Sequence, residues 1–139
     1  MTGTPSVSPA GFGPLFRSSP FLDLLGPVLG KGEREGLVVG LRVSEHHCNS
    51  RGTLHGGVIA TLADVALGYV TAYSGDSLRG LTTASLSIDY TGTARPGDWI
   101  EVHVETFKVG SRLAFANCYV RCGETQVARA SAVFAVSGE

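Results

Sequence analysis

The sequence predicts an α+β fold: a curved antiparallel β-sheet wrapped around one long central α-helix. Three observations predict it. An apolar run over residues 58–73 holds no proline, is mostly Ala, Leu, Val and Ile, and is long enough for about four turns of helix at ~3.6 residues per turn. After Ser74 come four strand-like segments joined by turns too short for parallel crossovers. A further strand-like segment precedes the helix. Apolar residues lie on every side of the run, so the helix needs cover all round, and one bent antiparallel sheet supplies it economically.

In chain order, residues 1–18 are rich in Pro, Gly, Ser and Thr and read as a flexible N-terminal segment. Residues 19–139 read as one domain. Ser19-Pro20 has the form of an N-cap followed by proline at the first helical position. The short helix it opens places Phe21, Leu24 and Leu25 on one face and stops at Gly26-Pro27. Residues 31–35 read as a charged connector. Residues 37–43 form the first strand, with Val39, Leu41 and Val43 on one side. The loop over 44–55 leads into the long helix. Gly75-Asp76 and Arg79-Gly80 mark the loop beyond it. Residues 82–91 alternate, with Ala84, Leu86, Ile88 and Tyr90 on one side. Arg95-Pro96-Gly97-Asp98 is a turn, residues 99–109 a strand, Gly110-Ser111 a turn, and residues 113–122 and 126–136 the last strands.

Composition narrows the function. At 139 residues, 43% hydrophobic and 17% charged, the chain fits a single ordinary globular domain. A net charge of -1 gives no reason to expect nucleic acid or a membrane as partner. The three cysteines, Cys48, Cys118 and Cys122, are odd in number and form no CxxC pair, which points to a reducing cytoplasmic setting without a disulfide framework. The start of the chain has no basic stretch followed by an apolar core, so no secretory signal is expected. Asp64 and the Gly56-Gly57 pair argue against reading the long helix as a membrane span.

The chemistry centres on Asp64, the one carboxylate within the apolar run. A carboxylate there is costly unless paired or put to use, and it reads as a general base or nucleophile; a structural, backbone-capping role is the alternative. The backbone N–H of Gly56 or Gly57, at the positive end of the helix, is a candidate oxyanion donor, and glycine lets a ligand approach closely. Close helix–sheet packing would also account for the glycines. His46, His47, Cys48 and His55 sit near one another, but no second ligand pair lies at finger spacing, so no metal site is expected. Cys118 and Cys122 read as packing residues. Lys108, Arg112 and Arg79 could form a basic rim, the first two flanking a tight turn at Gly110-Ser111 whose N–H groups suit phosphate.

Asn49-x2-Gly52-Thr53-x-His55-Gly56-Gly57 followed by Leu62-x-Asp64 resembles the signature of the hotdog-fold acyl-CoA thioesterases, in their PaaI-like (phenylacetate-type) and Them2-like branch. Gly110-Ser111-Arg112-Leu113-Ala114-Phe115 resembles that branch too, and the likeness covers roughly residues 35–136. The resemblance implies hydrolysis of acyl-CoA without metal or cofactor. It implies that Gly56 polarises the carbonyl, Asp64 supplies the carboxylate, Asn49 and Thr83 hold substrate or water, and His55 fixes the loop. It places Gly57, Tyr90, Lys108, Gly110, Ser111 and Arg112 against the substrate, and expects a homodimer assembling into a homotetramer.

Spacing bears on this assembly independently. Gly56 and Asp64 stand eight residues apart, about 12 Å along a helix at ~1.5 Å per residue. One thioester carbon cannot touch both within a chain, so two antiparallel copies of the helix would share the site. The acyl tail is then expected between subunits, lined by Leu62, Val65 and Leu67. A non-catalytic acyl-CoA sensor and a hotdog enoyl-CoA hydratase or dehydratase are the alternatives.

Overall fold

In the computed structural model, which describes residues 8–75 and 78–137, the long helix α2 (Gly56–Ala72) lies across the inner face of one antiparallel sheet. Among the described residues the sheet has seven strands. They are β1 (Gly13–Pro14), β2 (Val28–Lys31), β3 (Val38–Arg42), β4 (Leu81–Tyr90), β5 (Trp99–Val109), β6 (Leu113–Cys122) and β7 (Thr125–Val136). Their order is β1-β2-β3-β5-β6-β7-β4. Asp76 of the expected loop lies outside the described residues.

Ile59, Leu62, Ala63, Ala66, Leu67 and Val70 form the stripe of α2 that faces the sheet, and all are buried. The sheet meets them with small residues, Ala114 and Ala116 on β6 and Ala128, Ala130 and Ala132 on β7, so the helix seats closely. Each Leu, Ile or Val fully buried there contributes roughly 1.5–3 kcal/mol. The opposite face is only half-covered: Val58, Thr61, Asp64, Val65, Gly68, Tyr69 and Ala72 stay partly open. The sheet of one chain therefore covers one side of the helix, not all of it.

Val39, Leu41 and Val43 are buried together as expected. Gly40 points the other way, where a Cβ would collide with the Trp99 indole. Helix α1 (Pro20–Leu25) begins as read, with Ser19 Oγ accepting from Leu22 N–H at 3.2 Å. Its inward residue is Leu22, however, while Phe21 and Leu24 are 58% and 77% exposed. Six residues are too few for periodicity to set the phase; Gly26, at φ 84°, turns the chain straight into β2 and brings Leu22 inward.

Part of the N-terminal segment read as flexible makes defined contacts with the sheet. Gly13 and Pro14 pair with Gly30 and Leu29, and the Phe12 ring packs edge-on to Trp99 at 4.9 Å. Residues 1–7 lie outside the described residues. The expected charged connector begins as the last residue of β2 and continues as a 3-10 turn at Arg34–Gly36. Strands of two and four residues carry too little alternation to be read.

Strand β4 forms an edge of the sheet and pairs only with β7 among the described residues. Its register slips between Thr83 and Ser85: Thr83 stands opposite Phe134 and Ser85 opposite Val133, leaving Ala84 as a bulge. Leu86, Ile88 and Tyr90 then share the helix side with Thr83, not with Ala84. A bulge re-aims the residues beside it, and this one turns a hydroxyl toward the helix.

Candidate active site

The loop before α2 is wired from its own residues. Asn49 Oδ1 accepts from Arg51 N–H at 2.9 Å and Thr53 N–H at 3.1 Å, an Asx turn that fixes the chain's approach to the helix. Asn49 Nδ2 donates to Thr53 Oγ1 at 3.0 Å. His55 is the N-cap: its Nδ1 accepts from Gly57 N–H at 2.8 Å. Its backbone N–H donates to the His47 carbonyl at 2.9 Å. The Gly57 donor is thus consumed by the cap. The N–H of Gly56 meets no acceptor among the described residues, so of the two glycine donors it is the one left open to a ligand.

Tyr90 reaches across from β4 and donates its hydroxyl to the Gly56 carbonyl at 2.8 Å. A Cβ on Gly56 would lie 3.2–3.3 Å from the Tyr90 ring. Glycine therefore keeps the helix end close to β4, and Tyr90 is a brace at this end.

Asp64 sits two turns further on, half-exposed on the open face of α2. Thr83, re-aimed by the bulge, donates its hydroxyl to Asp64 Oδ1 at 2.7 Å. Strand β4 thus ties the helix at two points, through Tyr90 at Gly56 and Thr83 at Asp64. The carboxylate stands between two hollows. One, of about 500 Å³, runs toward the C-terminal end of α2 past Val65, Gly68, Tyr69 and Tyr73, with Phe16, Arg17 and Leu78 on its walls. The other, about 290 Å³, runs toward the N-terminal end past Thr61, Ala60, Phe21 and Leu86.

Of the residues expected to line an acyl tail, Val65 borders both hollows. Leu62 and Leu67 border neither: both are fully buried. A helix apolar all round gives no phase from which to choose. Phe16, Arg17, Tyr69 and Tyr73 were not anticipated. Tyr69 and Tyr73 were legible from their helical spacing to Val65; Phe16 and Arg17, in a segment read as flexible, were not.

Lys108, Gly110 and Ser111 line a third hollow with Arg79, Thr106 and Phe107 at the β5–β6 turn. Gly110 N–H closes that turn onto the Leu113 carbonyl at 2.8 Å. Arg112 follows at its tip and accepts Val136 N–H at its carbonyl. Arg79 also borders the Asp64 hollow, so it links the two.

His46 and His47 both direct Nε2 at the Leu25 carbonyl, and burial holds the His47 pKa below its ordinary value. They tie the loop to α1. Cys118 is fully buried, and burial pushes its thiol up to about 12, which removes it as a nucleophile. No helix of the described residues is long and apolar enough to cross a membrane.

Residues 51–129 match the family described as the thioesterase superfamily. A Pseudomonas aeruginosa protein that carries the provisional name of an esterase is 52% identical over 127 residues, spanning 91% of this chain and 95% of its own. Mouse acyl-coenzyme A thioesterase 13 is 34% identical over 83 residues, 60% of this chain and 59% of that protein. The solved structure of a Streptococcus mutans protein bound to acetyl CoA superposes with a TM-score of 0.70 at 26% identity, over 77% of this chain and 85% of that one. The helix-and-sheet arrangement described above is the hotdog fold. Similarity of this extent makes the chain a member of the thioesterase superfamily, a hotdog-fold hydrolase acting on thioesters or esters.

Proposed function

We propose that the chain is an acyl-CoA thioesterase that releases a free acid and coenzyme A, working in the cytoplasm as a homodimer paired into a homotetramer. One observation carries this reading. Helix α2 presents an unclaimed N–H at Gly56 and, eight residues on, a carboxylate held by Thr83. At about 12 Å of helix between them, each needs the other from a second copy. The half-covered face of α2 and the open edge of β4 flank Asp64 and supply the surface for that copy.

Gly56 N–H of one protomer receives the thioester oxygen, and Asp64 of the other acts on the carbonyl carbon from the opposite side. As a base, Asp64 takes a proton from water; the hydroxide adds to the carbon, negative charge gathers at Gly56, and the C–S bond breaks with the thiolate leaving. As a nucleophile, Asp64 adds first and water completes the hydrolysis. Thr83 holds the carboxylate in place. Asn49 keeps one amide N–H beyond its bond to Thr53, free for water or substrate. Carboxylate and donor suffice for either route, so neither needs a metal or cofactor. Lys108, Ser111 and Arg112 meet the coenzyme's phosphates, and Gly110, whose N–H closes the turn, shapes the loop that presents them. Tyr90 stands beside the substrate at Gly56. The name of the mouse relative and the acetyl CoA bound to the streptococcal protein support the choice of coenzyme A.

The test is thiol release from a panel of acyl-CoAs. Asp64→Asn is expected to lower kcat by about 10²–10⁴-fold, with the dimer intact by sedimentation. Near-native turnover by that variant refutes the role of Asp64. Binding by the native chain without thiol release would make it a sensor.

A further inference from the structure

The larger hollow beside Asp64 extends beyond what the reaction itself requires. It starts at Asp64 and Thr83 and passes Val65 and Gly68 to Tyr69. That is about 7.5 Å of helix from the carboxylate at ~1.5 Å per residue. There Phe16 borders it. Its ring lies 5.0 Å from Tyr69 and 5.8 Å from Tyr73, tilted and edge-on, the arrangement aromatic rings prefer. The Arg34 guanidinium sits 5.0 Å from the Tyr73 ring and backs the group.

Phe16 is not a core residue; it is 56% exposed. It arrives on a strap held elsewhere: β1 pairs with β2, Phe12 packs on Trp99, and Leu15 packs against the core beside Gly30. The strap thus packs a half-buried Leu15 on the core and presents Phe16 to the hollow. Arg17 follows on the same wall. An extended hydrocarbon tail that slid past Phe16 would have to desolvate that guanidinium, which is unfavourable.

We propose that Phe16, braced on Tyr69 and Tyr73, is the end wall of the acyl site and sets acyl size, admitting compact acyl groups and turning back extended ones. This rests on the acyl-CoA reading above.

The experiment compares kcat/KM for straight-chain acyl-CoAs of increasing length, and for arylacetyl-CoA, in the native chain, Phe16→Ala and Phe16→Trp. Phe16→Ala is expected to raise kcat/KM for the long chains about tenfold or more and to leave the shortest within about twofold. Phe16→Trp is expected to move the cut-off to shorter chains. An unchanged length profile in Phe16→Ala, or the same loss at every length, overturns the proposal. If the native chain releases thiol from none of the panel, the thioesterase reading fails on its own. The wall is then judged by calorimetry with the matching free acids: tighter binding of long acids by Phe16→Ala supports it, and equal binding overturns it.

Discussion

The Gly56 end and the Asp64 region of helix α2 are built in opposite ways. At the Gly56 end the chain satisfies itself: Asn49 closes the turn, His55 caps the helix and Tyr90 braces the first carbonyl. At Asp64 a single hydroxyl, Thr83, holds a half-exposed carboxylate between two hollows. A donor must be aimed before the oxyanion forms, because reorganising it during the reaction would cost rate. A carboxylate that takes a proton needs access instead. The contrast teaches that one chain completes the glycine end alone, while it leaves the acid open on a half-covered helix face.

The largest effect should come from separating the two points genetically. Gly56→Pro removes the donor N–H while keeping the helix start, since proline is tolerated at the first helical position. His55 already has φ -68° and ψ 135°, the conformation preferred before proline. Gly56→Pro and Asp64→Asn are each expected to lose about 10²-fold or more in kcat. Mixed dimers of the two have one site with both groups intact and one with neither. Co-expressed, differently tagged chains purified as heterodimers should recover about half the native rate per dimer, as expected for one intact site of a two-fold pair. Failure to recover would place both groups in one chain's site.

A smaller pair of substitutions sharpens the same contrast. Thr83→Val removes the one hydroxyl on Asp64. It is expected to lower kcat about tenfold, as for a hydrogen bond to a charged group, with thermal stability almost unchanged because Thr83 is exposed. His55→Ala removes the cap and is expected to cost about 1 kcal/mol of stability in urea titrations. Equal losses of stability in the two variants would erase the difference between the ends.

Much of this was legible in the sequence, for identifiable reasons. Helix α2 and strands β5 and β6 were read almost to the residue because they are long and bounded by glycine turns. Asp64 stood out as the one acid in an apolar run, and Gly56 as a glycine at a helix start. The bulge was invisible: the alternation of residues 82–91 suits Ala84 inward as readily as Thr83, and only pairing to β7 decides. Thr83 was placed in the site by resemblance, and the bulge is the physical reason it reaches Asp64. Phe16 was hidden because a Pro- and Gly-rich segment gives no sign that β2, itself unread, will hold it.

The smallest expected effect concerns acid and the braced end. His47 is buried, and its carbonyl accepts the His55 N–H that precedes Gly56. Its Nδ1 accepts from Ser44 N–H at 3.0 Å, while Nε2 donates to Leu25. A proton on Nδ1 would set two donors face to face, and burial already disfavours the charged ring. The folded pKa therefore lies below the ordinary histidine value of 6.5. Between that folded value and 6.5 the unfolded chain binds more protons, so stability falls as pH drops through this window. The slope is less than about 1.4 kcal/mol per pH unit, the limit for one proton. Urea titrations at successive pH values from neutral down to pH ~5, above most carboxylate pKa values, should show the decline, and His47→Gln should flatten it. Because the loss is in the loop that aims Gly56, kcat should fall with stability in the native chain. A decline that persists unchanged in His47→Gln would assign it to other groups and leave the braced end insensitive to acid.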